Sequence, residues 1–464
     1  QKVQVISGER GRQYFEYQYP YQEFKIKEGS DLTNIDGLKG IGTLESADFN
    51  NQRIIIEAYR KITSLPDMMD ITNGTPIDPK NLRAALYRFA RSFINQDGKF
   101  SCTLQLLTHQ IPRFSGGYQL QEFQNENIVE NVKEVIANMH HSYLFIQGPP
   151  GTGKTYVTAH AIVHLLQNHK KIAITSNSHK AINNVLEWVD RIADQINFSY
   201  SGLKKYSSKS KDSKYESNNI ESKSAVKQLP EDLNLFAATK FEFSKEAYEE
   251  AFDYLFIDEA GQLAVPDVIA STTCAKNLVL IGDPRQLGNP SDITHPGDSG
   301  LSVLDFILGE KNTVPPNLGI FLSTTRRMRS EITPFISESF YDSRLNSHPT
   351  TDQRLLKLEG NPLPHHSGIV LVEMEHQDNA QSSKEEIEVI DKLYSYFLTQ
   401  KLIDEGIERD ITSNDILVVA PYNVQVNLIQ KKLPEGNRTG TVDKFQGQEA
   451  PISILSMTSS DGDN

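Results

Sequence analysis

The stretch GPPGTGKT, Gly148 to Thr155, constrains this chain more than any other. It fits G-x-x-x-x-G-K-[ST], with an apolar run, Tyr143 to Ile146, just before it and helix-forming sequence after it. In that strand–loop–helix setting the pattern reads as a P-loop rather than as an ordinary Gly-rich turn. Gly148, Gly151 and Gly153 lack Cβ atoms, so backbone N–H groups can curl around phosphates at the positive end of a helix. Pro149, Pro150 and Thr152 complete the cradle. Lys154 is placed to reach the β- and γ-phosphates, and Thr155 to offer its hydroxyl to Mg²⁺. The expected ligand is ATP with its magnesium ion.

The 464 residues suffice for two to four domains of about 150 residues each. With 38% hydrophobic and 23% charged residues, the composition is that of a soluble globular protein. No apolar run approaches the ~20 residues of a membrane span, so no membrane partner is expected. No signal peptide is visible, and the start at Gln1 rather than Met suggests a fragment. The two cysteines, Cys102 and Cys274, are too few and too far apart for a disulfide framework or a zinc site. A reducing cytosol, and hence a cytoplasmic location, is the expectation. The net charge of −13 argues against a surface coated with basic groups, yet leaves room for a local nucleic-acid groove.

Along the chain the pattern changes twice. Residues 1–75 are β-rich, with aromatic and β-branched runs at Tyr14–Ile26, Gly40–Phe49 and Arg53–Tyr59 between turn residues. Helical spacing follows over Asp78–Ile94. From about residue 118, short apolar strands alternate with amphipathic helices, which reads as parallel α/β. The expected strands are Tyr143–Ile146, Ile172–Ile174, Tyr254–Ile257, Leu278–Ile281, Ile320–Leu322, Ile369–Val372, Ile416–Ala420 and Ile452–Ser456. Of the helices, the one after Ala181 places Ile182, Val185, Leu186, Val189, Ile192 and Ile196 on one face. Eight strands are more than one P-loop domain uses, so two α/β domains are expected, at 76–295 and 296–464. The Ser- and Lys-rich stretch 199–224 is poor in aliphatics and reads as a flexible insertion, or as an arm touching nucleic acid.

Two further stations supply chemistry to the P-loop. In YLFIDEAGQL, Asp258 ends a buried strand and is the candidate for the Mg²⁺ shell, while Glu259 could orient and deprotonate a water. In LVLIGDPRQL, Asp283 and Gln286 stand at the C-terminal end of the next strand, where open α/β sheets bind ligands. Gln286 could report the γ-phosphate by hydrogen bond.

Taken in order, GPPGTGKT, DEAGQ, GDPRQL, LSTTRRM and TVDKFQGQEA resemble the motifs of superfamily 1B helicases. TSNSHKAINN, HPGDSGLSVL and TRRMRSEITPFISESFYDSRLNSHP resemble more closely bacterial helicases that carry a RecB-like nuclease module. The resemblance runs from about residue 118 to 460. It implies two tandem RecA-like domains with the β-rich segment as an accessory domain, and a monomeric motor moving 5′→3′ on a single strand. DNA is favoured by analogy with nuclease-linked helicases, with RNA as the alternative, and a nucleoid-associated bacterial setting follows. No nuclease motif is present, which leaves any cutting module to a partner or to another part of a fuller protein.

The resemblance also implies residue roles. Gln124 would read the adenine edge. Ser176, Asn177 and Thr239 would touch the nucleic-acid backbone from the first motor domain, and Thr441 and Asp443 from the second. Arg327 would be an arginine finger supplied by the second domain, and Gly447 and Glu449 would face the nucleotide. The family pattern Gln-Tyr-Arg-Met stands here as Thr325-Arg326-Arg327-Met328, so Arg326 replaces the adenine-stacking tyrosine and could stack by its planar guanidinium. The family's last motif does not occur before Asn464, so the second domain reads as C-terminally incomplete. A ring-forming AAA-type remodeller and a non-enzymatic scaffold are the competing classes. Arg327 and Glu449 on the same chain as the P-loop argue against the first, and intact Lys154, Asp258, Glu259 and Gln286 against the second.

Overall fold

In the computed structural model, the described residues are all except 8–11, 21–25, 49–50, 75–77, 122–126, 209–212, 289–294, 361–362, 364–366, 405, 446 and 461–464. The β-rich beginning forms one antiparallel sheet. Its strands are β1 (Lys2–Ser7), β2 (Gln13–Gln18), β3 (Asp31–Asn34), β4 (Lys39–Asp48), β5 (Arg53–Ala58) and β6 (Ile71–Asn73), in the order β1-β2-β5-β4-β3-β6. Alternation in β5 buries Ile54, Ile56 and Ala58 against Phe15, Leu32 and Leu44, so this unit has its own core.

Next come α1 (Lys80–Asn95), α2 (Ser101–Leu107), α3 (Ile128–Ala137), β7 (Tyr143–Gln147), α4 (Lys154–Gln167), β8 (Ile172–Ser176) and α5 (His179–Gln195). They are followed by β9 (Gly202–Lys205), β10 (Ile220–Lys223), β11 (Leu235–Ala237), α6 (Lys240–Phe243), β12 (Phe252–Asp258), α7 (Val265–Thr272), β13 (Ala275–Gly282), α8 (Val303–Leu308) and β14 (Gly319–Phe321). The eight strands build one parallel sheet, β10-β9-β11-β8-β12-β13-β7-β14. Both faces are covered, which is why its central strands read as unbroken apolar runs. One face packs Ile146, Ile174 and Phe256 under α3, α4 and α5, and the other packs Phe145, Leu255 and Leu280 against α2, α7 and α8. In α5, Ser178 caps the helix by accepting from Ala181 N, and the predicted apolar face is buried except for Ile196 at its C-terminal end.

After β14 the chain forms β15 (Thr324–Thr325), α9 (Thr333–Phe340) and β16 (Asn346–Ser347), with β15 and β16 paired. The remaining elements are β17 (Leu355–Lys357), α10 (Lys384–Phe397), β18 (Lys401–Asp404), β19 (Ile407–Asp410), β20 (Ile416–Val419), α11 (Asn423–Lys432), β21 (Arg438–Gly440), α12 (Val442–Phe445) and β22 (Ile452–Leu455). Here a parallel sheet, β21-β20-β22, shares one core with α10, α11 and the antiparallel sheet β17-β18-β19.

Three expectations need correction. The first sheet does not stop at the 295/296 boundary, because β14 pairs with the P-loop strand β7. Buried Gln147 fastens that edge, donating to Asn312 O at 3.0 Å and accepting from Val314 N at 2.7 Å. The strand expected at Ile369–Val372 is absent. No neighbouring backbone pairs with it there, and Ile369 and Leu371 are 71% and 80% exposed.

The third correction concerns 199–224. Among its described residues the stretch is folded, with β9 and β10 extending the sheet. Leu203 and Ile220 reach the cores on the two faces of the sheet, and aromatic hydroxyls add a polar anchor. Asp190 of α5 accepts from Tyr200 Oη at 2.8 Å, Tyr215 Oη at 2.7 Å and Asn219 Nδ2 at 3.2 Å. Burial and this carboxylate raise both phenols above their ordinary range. Replacing Asp190 with Ala would leave three donors unserved, at a cost of about 1–3 kcal/mol. Asp190→Ala is therefore expected to lower the denaturation midpoint and to make residues 213–219 more sensitive to limited proteolysis than they are in the unaltered protein.

Candidate nucleotide site

The site lies at the C-terminal edge of the parallel sheet, where β7, β13, β12 and β8 end side by side. The P-loop leaves β7, and its first glycine is pinned to the next strand by Gly148 N donating to Gly282 O at 3.0 Å. Gly151 and Gly153 have φ of +76° and +79°, the left-handed region that favours glycine. At Gly148 the constraint is space, since a Cβ would stand 2.2 Å from Lys154 Cγ. Lys154 is folded back into its own loop, with Nζ donating to Gly148 O at 2.6 Å. Thr152 Oγ1 donates to Pro149 O at 2.8 Å and stiffens the turn.

Asp258 ends β12, buried, and is the register partner of Ser176 at the end of β8. Burial pushes the Asp258 carboxyl well above the usual carboxylate range. The neighbouring Glu259 adds to the shift and Lys154 opposes it. Its Oδ1 is buried without a hydrogen-bond partner. An orphaned, buried carboxylate oxygen at the sheet edge from which the P-loop leaves is a hard-oxygen donor, and it fits Mg²⁺, which Asp258 would hold together with the Thr155 hydroxyl. Glu259 follows in a left-handed conformation, φ +53°, which is uncommon outside glycine and marks a backbone held there by its surroundings.

Gln286 lies close by, its Nε2 donating to Asp283 Oδ2 at 3.1 Å. The turn carrying Arg327 docks directly on the P-loop. Thr325 Oγ1 donates to Pro150 O at 2.8 Å, and Arg326 N donates to Gly151 O at 2.8 Å. Arg327 thus comes from the segment just after β14, fastened to the first sheet, and not from the second parallel sheet as expected. Its guanidinium reaches the other way, with Nε 2.6 Å from Glu449 Oε2. Arg326 is exposed beside the same loop.

The expected strand-contacting residues are less uniform. Asn177 is exposed and donates from Nδ2 to Gln262 Oε1 at 2.9 Å. Thr239, at the start of α6, and Thr441 are half-buried, and Asp443 is exposed. Ser176 is buried with its Oγ unpartnered, so it is not positioned to touch a strand in this structure. Gly447 is exposed, and Gln124 lies outside the described residues. The sequence reading missed Thr325 and Tyr341. No local pattern marks either, because their roles arise only when distant segments meet.

Two family models, each described as an AAA domain, match residues 132–291 and 307–464. The DNA replication ATP-dependent helicase/nuclease dna2 of Schizosaccharomyces pombe is 27% identical over 361 residues, covering 73% of this chain and 26% of that one. DNA-binding protein SMUBP-2 of Mesocricetus auratus is 26% identical over 423 residues, with 76% and 41% covered. The ATP-dependent helicase upf1 of S. pombe is 25% identical over 381 residues, with 68% and 39% covered. The chain spans under half the length of each of these curated relatives.

At Gly151 an added Cβ would stand 2.3 Å from Arg327 Cβ and 2.8 Å from Thr325 Oγ1. Gly151→Ala is therefore expected to push the Arg327 turn off the loop. The measurable result is at least a tenfold loss of nucleotide hydrolysis with an unchanged far-UV circular dichroism spectrum.

Proposed function

We propose that this chain, whose motifs resemble those of superfamily 1 helicases and whose relatives include proteins named as ATP-dependent helicases, is an ATP-dependent motor. It moves 5′→3′ along a single strand, with DNA as the favoured substrate and RNA as the alternative. The observation that carries this reading is the position of Arg327. It is docked on the P-loop by its backbone neighbours and joined by its side chain to Glu449, which lies beyond β21 and near the second parallel sheet. Movement of that second unit is thereby linked to a cation beside the phosphate cradle.

The chemistry follows from the residues present. Mg²⁺, when bound, neutralises charge on the phosphate oxygens. Lys154 exchanges its bond to Gly148 O for one to the phosphates. Glu259 takes the proton of the attacking water, and Gln286 orients that water or the γ-phosphate. Arg327 then stabilises charge spread over the transferred group. Its present partner does not hold it strongly, because Arg327 is 34% and Glu449 65% exposed. Exposed pairs of this kind contribute ~0–1 kcal/mol, so a triphosphate can replace the carboxylate. Arginine fingers are worth ~10³–10⁵ in rate, so hydrolysis depends on whether the Arg327 guanidinium pairs with Glu449 or turns to the phosphates.

DNA is favoured because the names of two of the relatives refer to it. The monomeric state is supported by the presence of Lys154, Asp258, Glu259, Gln286 and Arg327 on one chain. A nuclease module, as in the dna2 relative's name, is a proposed companion.

The decisive measurement is ATP turnover with and without single-stranded DNA or RNA of matched sequence. Stimulation by DNA is expected, and no response to either strand would sink the motor reading. Lys154→Ala should abolish turnover and weaken ATP binding, whereas Glu259→Gln should abolish turnover and retain ATP. Arg327→Ala should lower kcat by about two decades or more and spare ATP affinity. Arg326→Ala should chiefly raise KM, as expected for a group that stacks on the base.

A further inference from the structure

We infer that Tyr341 is a positioning residue for the reaction proposed above, holding the Gln286 amide at the phosphate cradle through Asp283. The inference rests on that reading for the role of Gln286, and on geometry for the link.

Asp283 follows β13, directly after the Gly282 carbonyl that pins Gly148. Its carboxylate is buried and serves three donors. Arg285 N reaches Oδ1 at 3.1 Å, while Gln286 Nε2 reaches Oδ2 at 3.1 Å and Tyr341 Oη reaches the same Oδ2 at 2.7 Å. Tyr341 is itself buried, and both burial and Asp283 raise its phenol above the ordinary range, so the hydroxyl stays a donor. The two partners of this oxygen approach from different segments of the chain. Loss of the shorter bond frees Asp283 to turn, and Gln286 turns with it.

The position of Tyr341 in the chain gives this contact its consequence. Tyr341 ends α9, and Arg327 lies just before it. The eight residues of α9 span about 12 Å, and both its flanks pack into the core of the first sheet through Met328 and Tyr341. Arg327, six residues before α9, and Tyr341, directly after it, therefore reach the site from the two flanks of one short helix. A displacement of the Arg327 turn that carries α9 with it disturbs the hydrogen bond that orients Gln286.

The test is a double-mutant cycle on the whole chain. Tyr341→Phe keeps the ring that packs 6.2 Å from Phe321 and removes only the hydroxyl. It is expected to lower strand-stimulated kcat roughly tenfold, the scale of one hydrogen bond to a charged group. KM for ATP and affinity for a non-hydrolysable analogue should stay unchanged. In a Gln286→Ala background the same substitution should not lower kcat further, although it should lower the melting temperature by the same amount in both backgrounds. Equal losses of kcat in both backgrounds, or a matching rise in KM, would overturn the inference and leave Tyr341 a structural residue. Normal kcat in Gln286→Ala alone would overturn the sensor assignment itself, and with it the inference. Asp283→Asn, which replaces an acceptor oxygen with a donor, is the second variant and carries the same expectation if Tyr341→Phe does not fold.

Discussion

The contact on which the site depends is the one between Gly151 of the P-loop and the turn 325–328. There is no room for a side chain between them, and the Thr325 hydroxyl holds the approach by donating to Pro150 O while accepting from Arg327 N at 3.2 Å. One hydroxyl thus serves the phosphate loop and the residue expected to act on the phosphate. Every other part of the site is arranged around this contact. The sheet supplies the loop, β14 supplies the turn, and the two come together because β14 is the strand next to β7.

That adjacency also explains why the acidic stations converge. In a parallel sheet all strands end on the same side, so Gly148, Ser176, Asp258 and Asp283 share one edge although the sequence separates them widely. Inside that edge the dielectric is low and polar groups need partners. Asp283 has three, whereas Asp258 Oδ1 and Ser176 Oγ have none. The difference separates a group that positions others from groups left open toward a ligand.

Much of this was legible beforehand where the signal is local. Buried strands such as β7 and β12 are continuous apolar runs, and the P-loop carries its glycines in fixed places. What the sequence hid depends on partners far along the chain. The run at Ile369–Val372 has strand chemistry but no neighbouring strand, and apolar composition alone cannot supply one. The Ser- and Lys-rich 199–224 looked too polar to order. Its fold rests on two phenols converging on Asp190, a carboxylate on another element that no pattern within the stretch reveals. The origin of Arg327 was misjudged for a related reason. Membership of a sheet is decided by the pairing of β14 with β7, and a three-residue strand does not announce its partner.

The order of strands in the parallel sheet has a consequence for how the protein is made. The P-loop strand lies between β13 and β14, neither of which follows it closely. Asn277, which receives the amide of Ser142 at the foot of that strand, comes 135 residues later, and Asn312, bonded by Gln147 at its top, comes 165 residues later. A ribosome adding about 5–20 residues per second needs on the order of ten seconds to cover that distance. Throughout that interval an apolar strand of the nascent chain lacks both of its neighbours in the sheet. The phosphate loop thus leaves the ribosome well before the strands that give it its shape.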